Sequence, residues 1–323
     1  MTGLEAMAYK MQPAGHDKPS PRRKYSKPDL QLANAFEKWI NSVKEGKPAI
    51  DDFQRIEDYT KELHPSLDEL HSLMIHYQDH SKVCVAGMFL SHFYNKMPEK
   101  IILHDLDIGL RFVGYLLAPE KILVNLGKMG TQCGYQARGV IINAGEIGRD
   151  LGSVMEPDLA GNKSYSILVN LGKVGDYAGG NSDALIVNVG EAGEKLGWDA
   201  TGPVLNFGSC GKELGCHSRY VSILVNTGKA DYNVGCESDG ILISATPAEW
   251  KETRKARKVI DSDEYLKIPE LVKYVDHLRA MFEPAKQDWK LALKAVEQLG
   301  TGAKDKITQD ILDIFRRANY DVA

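Results

Sequence analysis

Cysteine, histidine and clustered basic side chains are the groups in this chain whose spacing could support chemistry. Cys216 and Cys236 occupy equivalent places in a repeated phrase, and His217 follows the first of them. Two thiolates and an imidazole could hold a metal ion or form a redox pair. A zinc site needs a fourth ligand at a recognisable spacing, and none accompanies them. The competing expectation is two unpaired thiols. His76 and His80 stand four apart on an expected helix with Glu69 on the same face, an arrangement able to chelate a cation. HxxxH spacing is common, so a solvated or packing role is the expectation there. Permanent cations cluster twice, as Arg22, Arg23 and Lys24 and as Lys251, Arg254, Lys255, Arg257 and Lys258. Contact with a polyanion needs donors of this kind. Glu249 and Glu252 dilute the second cluster, so a solvated helix face competes with that reading.

The bulk properties narrow the field. A formal charge of −4 over 323 residues argues against wholesale binding of nucleic acid, and leaves local contact through the basic N-terminal arm open. Hydrophobic residues make up 43% and charged residues 26%, as in ordinary globular proteins. No apolar run approaches the length of a membrane span, so no membrane association is expected. Met1 to Tyr25 has no apolar segment of signal-peptide type. Five cysteines without a CxxC pair then read as reduced thiols of a cytoplasmic protein. No cofactor or resident metal is expected, and the reading leans against an enzyme.

What must position these groups is a repeat. Copies such as ILVNLGKMGTQCG begin at Ile122, Val140, Ile167, Leu185, Pro203 and Ile223, spaced by 18, 27, 18, 18 and 20 residues, and Ile241 opens a truncated seventh. Each has a short strand pattern, Ile122, Val124 and Leu126 in the first copy, followed by glycines in the order G-x-x-G-x-x-x-G. Gly127, Gly130 and Gly134 set the pattern, and in the sixth copy Asp231 replaces the middle glycine. So many internal glycines exclude helix, at about 1 kcal/mol each. The period is also too short for a strand–helix–strand unit. Stacked coils of short strands and corners remain, about 4.8 Å apart. Steps of six residues from Val124 reach Gly130 and Gln136, which excludes a hexapeptide left-handed helix. Right-handed winding is the usual hand of parallel crossovers.

Stacking predicts columns. Asn125, Asn143, Asn170, Asn188, Asn206 and Asn226 fall at one position, where amides on successive coils form a structural ladder rather than an active site. Lys128, Glu146, Lys173 and Glu191 alternate in sign at another, and Cys210 falls in an apolar column with Met129, Ile147 and Val174. Cys133 matches Ala178, Leu196, Leu214 and Val234. Degenerate opening coils are expected at Val83 and Ile101.

The remaining segments divide as a basic arm over 1–28, a helical segment over 29–82, the β-helix over 83–246 and a second helical segment over 247–323. Asp29 is positioned to cap a first helix, a second fits Ile50 to Leu63, and Ser66 with Glu69 forms a capping box for a third. Thr246-Pro247-Ala248-Glu249 reads as a helix start, with helices over 247–261, 269–282, 285–299 and 304–319. The fold class expected is therefore mainly β with flanking α: a right-handed parallel β-helix capped at both ends by helices. The 153–166 loop around Pro157 is either a contact site or tolerated drift.

The N-x-G-x-x-G-x-x-x-G phrase over Ile122 to Ser244 resembles the β-helix domain found at the C-terminus of glutamate synthase and in one of the subunits of formylmethanofuran dehydrogenase. In those enzymes the domain holds neighbouring domains or subunits in place, and catalysis lies elsewhere. The resemblance implies a scaffold with a protein partner and carries over no catalytic residue. Two alternatives stand beside it: a nucleic-acid-associated factor using the basic arm, and a structural component of a metabolic enzyme complex.

Overall fold

Three β-branched or aliphatic residues followed by asparagine and, two residues later, glycine can neither extend into a long strand nor close into a helix. Each phrase turns instead and stacks on the next. The computed structural model describes residues 27–43, 50–80, 82, 85–153, 167–218, 223–246, 258–300 and 302–320. It is a parallel β-solenoid of about 7 turns with flanking helices. One sheet has nine strands, running from Ile101–His104 to Lys258–Ile260, and the other has seven, from Asp107–Leu110 to Lys229–Ala230. Pairing is in phase throughout the regular coils, so Asn125 aligns with Asn143, Asn143 with Asn170, and Asn170 with Asn188. The 27-residue spacing keeps this register, so its extra length lies outside the strands, largely in 154–166 beyond the described residues.

Glycine is dictated most sharply at the first corner. A Cβ on Gly145 would stand 2.1 Å from the Gly127 carbonyl oxygen of the coil below. At the third position, Gly134 has φ +66°, and a Cβ there would meet Ile141 Cδ1 at 2.2 Å. The middle position varies along the stack: a Cβ would meet Gly109 O at 2.4 Å on Gly130 but nothing closer than 3.2 Å on Gly211, and the next copy carries Asp231 there.

The strand alternation suggested by Ile122 and Val124 does not separate core from solvent. Residues of Ile122–Asn125, Ile167–Asn170, Leu185–Asn188 and Ile223–Asn226 are buried at every position. Leu123, Ile141, Leu168 and Ile186 face a core inside the solenoid that also holds Met129, Cys133 and Cys210. Ile122, Val124, Val169 and Val187 face outward into a second core built with the C-terminal helices. Those helices are α6 (Ser262–Tyr265), α7 (Pro269–Phe282), α8 (Lys290–Leu299) and α9 (Ala303–Arg317), with a 3₁₀ turn at Glu283–Lys286. They form a layer on the flank of the nine-stranded sheet rather than only a cap on its end. Leu271, Val275, Phe282, Ile307 and Phe315 are fully buried there, each contributing about 1.5–3 kcal/mol. The helix expected over 247–261 is corrected at its end: Lys258–Ile260 is a strand paired on Ile241–Ser244, extending the sheet by one more row.

The N-terminal expectation is also corrected. Ala86–Lys96 is a helix, α5, not a coil, while 83–84 lie outside the described residues. It follows α1 (Leu30–Ser42), α2 (Ile50–Gln54), α3 (Ile56–Thr60) and α4 (Leu67–His76). The helix expected over Ile50 to Leu63 is thus interrupted at Arg55. Asp29 caps α1 and the Ser66–Glu69 capping box opens α4, as the sequence leads one to expect. Every residue of α5 from Ala86 to Tyr94 is buried. Its polar side chains supply what a preceding coil would. Ser91 Oγ accepts from the amides of Gly114 and Tyr115 at 2.8 and 3.1 Å, and Asn95 bonds Leu116 and Ala118. The first coil therefore begins at Ile101, sealed by α5.

Candidate interaction surface

The ladder is complete. Nδ2 of Asn125, Asn143, Asn170, Asn188 and Asn206 each donates to Oδ1 of the next asparagine at 2.8 Å. Asn226 ends the line on the hydroxyls of Ser244 and Thr246, both at 3.2 Å. The same amides also bond carbonyls of the following coil, as Asn143 does with Lys173 at 2.8 Å. The side-chain amide donors of all six asparagines are spent on stacking. Of the alternating charges, Lys128 pairs with Glu146 at 3.5 Å and Lys173 with Glu191 at 3.3 Å, all well exposed and worth about 0.2–1 kcal/mol each.

The turn side presents more. Two residues before and two after the third glycine, non-glycine residues adopt positive φ, including Tyr177, Lys195, Glu213 and His217. Their amides bond the next coil: Tyr177 N–H to Glu194 O at 2.9 Å, Lys195 N–H to Lys212 O at 2.9 Å, His217 N–H to Cys236 O at 2.8 Å. Stacking thereby holds a left-handed conformation that otherwise favours glycine. Because residue type varies at these positions, the sequence carries no signature for them. Their side chains assemble a half-exposed ridge. Lys195 Nζ lies 4.8 Å from the Tyr177 ring centre and 4.4 Å from that of Trp198, and donates to Tyr177 Oη at 2.7 Å. That hydrogen bond, with Glu213 nearby, holds the Lys195 ammonium above its ordinary range. Trp198 packs on His217 at 4.2 Å between ring centres, Arg149 lies 5.4 Å from the Tyr177 ring, and Lys212 lies 5.9 Å from that of Tyr232. Tyr232 is 43% exposed.

Cys216 and Cys236 adjoin this ridge and are joined as a disulfide. This corrects the expectation of reduced thiols and removes the thiol argument for a cytoplasmic location. Neighbouring coils place equivalent side chains side by side, so two cysteines in one column meet directly. His217 turns away to Glu237, 3.4 Å from its Nδ1. Cys133 and Cys210 are buried, and burial pushes both thiols up to about 12.

The other expected sites are not assembled. Glu69 closes the Ser66 capping box, His80 Nδ1 accepts from the Lys82 amide at 3.1 Å, and His76 lies edge-on to Tyr77. Among the described residues no group of three or more histidine, cysteine or acidic side chains could hold a metal ion. Arg22, Arg23, Lys24, Lys251, Arg254, Lys255 and Arg257 lie outside the described residues, as does most of the 153–166 loop. Lys258 is engaged within the chain, 3.5 Å from Glu264 and 5.0 Å from the Tyr320 ring centre.

A buried polar seam went unseen in the sequence. His104 occupies the ladder position of the first coil, in register with Asn125. Its Nδ1 lies 3.1 Å from Tyr94 Oη, which lies 3.3 Å from His71 Nε2, and His71 Nδ1 lies 3.0 Å from Asp105. Burial pushes His104 down to about 3 and the Tyr94 phenol well up. Nearby, His92 touches Thr60 at 3.1 Å and Glu57 at 3.3 Å, and burial pushes it down to about 4. Tyr94 and His71 thus tie the helical cap to His104 and Asp105 of the first coil, and His92 joins two helices within the cap. No described helix is long and apolar enough to cross a membrane. Compared with known protein families, curated proteins and solved structures, the chain matches none of them.

Proposed function

We propose that this protein is a non-catalytic scaffold that docks a protein partner through the turn side of its solenoid. The observation carrying the reading is the ridge of Tyr177, Trp198, His217 and Lys195. It is half-exposed and held by a backbone that each neighbouring coil fixes. Aromatic and cationic side chains presented rigidly lose little entropy on binding and dominate many protein interfaces. The flank of the nine-stranded sheet is already covered by the chain's own helices, and the outer face of the seven-stranded sheet presents lysines and glutamates that pair with each other, which leaves the turn side as the accessible regular face that carries aromatic side chains. The likeness of the glycine phrase to β-helix domains that hold subunits together points the same way.

The test is affinity purification of the full chain at native abundance, with and without nuclease, alongside Trp198→Ala. The expected result is a stoichiometric protein partner retained through nuclease treatment and lost in the variant, with an unchanged circular dichroism spectrum. A monomer without a partner would overturn the reading. A partner that disappears with nuclease would replace it with the nucleic-acid-associated one.

A further inference from the structure

Where the coils turn out of the ladder, they face the end of α7 and the 3₁₀ turn across a groove of about 730 Å3, within the range of small-molecule sites. Leu171, Phe207 and Thr227, each one residue past a ladder asparagine, line its solenoid wall. Two carboxylates reach it and both are matched: Glu191 by Lys173 at 3.3 Å and Glu283 by Arg279 at 3.2 Å. Two further cations in the lining, Lys229 and Lys286, have no ion pair or side-chain hydrogen bond among the described residues. The groove thus has an excess of two positive charges. Two lining residues also carry polar atoms that are buried without a partner, Arg279 Nε and Thr227 Oγ1. Both atoms are closed off from the groove, so the donors a ligand can reach there are the two ammonium groups and the 40% exposed Arg279 guanidinium.

We propose that this groove binds a small phosphorylated organic molecule. A phosphate monoester carries two negative charges, which match those of Lys229 and Lys286, both exposed at the groove. Its oxygens are acceptors suited to ammonium and guanidinium donors. Leu171 and Phe207 supply an apolar surface for the organic part. The site is independent of the turn-side ridge, so it stands or falls separately from the scaffold reading.

Phosphorus NMR titration of the full chain at fixed ionic strength tests it, with phenyl phosphate as the probe. Saturable binding is expected, weakened at least about tenfold in the Lys229→Ala, Lys286→Ala double variant, a change of about 1.4 kcal/mol. Lys128→Ala, the equivalent lysine of a coil outside the groove, should bind as the parent does. Inorganic phosphate should bind more weakly than phenyl phosphate. The assignment is overturned if phenyl phosphate does not saturate, or if a double variant with parental circular dichroism binds it equally well. Equal affinity for inorganic phosphate would overturn its organic part.

Discussion

His104 stands where later coils have asparagine, and the exchange alters both bonding and titration. Its Nε2 and the Oδ1 of Asn125 on the next coil are buried without partners, while its Nδ1 turns to Tyr94. Held neutral in the fold with its pKa pushed down to about 3, His104 binds no proton where an unfolded histidine, with a pKa of about 6.5, does. His92, pushed down to about 4, behaves alike. Their stabilisation is fully present above the unfolded value and is lost as pH falls towards the folded values. Thermal unfolding from pH 7.5 down to 4.5 should therefore show a falling midpoint. His104→Asn, which restores a donor for Asn125, should make the fall shallower; an unchanged slope would remove His104 from the account. The position was legible as part of the Ile101 coil, but its partners were not, because Tyr94 and His71 come from helices that no local pattern places against it.

A single coil binds its neighbours through the ladder, the two strand registers and, in one place, a covalent link. Cys216 and Cys236 are 20 residues apart in sequence yet occupy adjacent coils. Their shared column was readable from the spacing, whereas bond formation depended on the two coils stacking in register. Cys133 and Cys210 are free and Cys216 and Cys236 are bonded, so reduction of the unfolded protein should expose two reactive thiols beyond those that react without reductant. Closing a loop of this length restricts the unfolded chain by about 3 kcal/mol, and Cys236→Ser should lower stability by about that amount in urea. An equal number of reactive thiols with and without reductant would contradict the pairing. At the other end, α5 shows how a helix can close a solenoid: Ser91 and Asn95 offer hydrogen bonds in the geometry of a missing coil. Its sequence, AGMFLSHFYNK, opens on an apolar run, AGMFL, and follows a β-like VCV run, so periodicity alone does not show where the coils begin.

The whole molecule is two hydrophobic cores sharing one sheet. Burial of the strands on both faces explains why ILVN and VIIN read as continuous apolar runs rather than alternating ones, as in parallel sheets covered on each side. The C-terminal layer is consequently part of the fold and not an appendage: Lys304 pairs with Asp183 at 2.7 Å across 121 residues of sequence. Val275→Asp would place a charge among fully buried residues of that layer and should destabilise the protein by several kcal/mol. The expected measurement is a lowered unfolding midpoint with increased binding of a hydrophobic dye in the folded baseline. A parental midpoint would show that the layer contributes little.

The sequence by itself determined the solenoid. A repeated strand, an amide column and glycines at fixed intervals are local constraints, and a period near 18 residues leaves few ways to satisfy them. It also determined the ladder, the buried cysteines at 133 and 210 and the caps of the first helices, since each depends on neighbours close in sequence or one repeat away. Tertiary structure alone decided where the C-terminal helices lie, which element seals the first coil and which side chains meet on the turn side and in the groove. Those outcomes depend on contacts between segments with no shared period, so nothing in the repeat specifies them. The turn-side ridge lies between these cases. Its columns follow from the repeat, and its chemistry follows from which residues successive coils happen to stack.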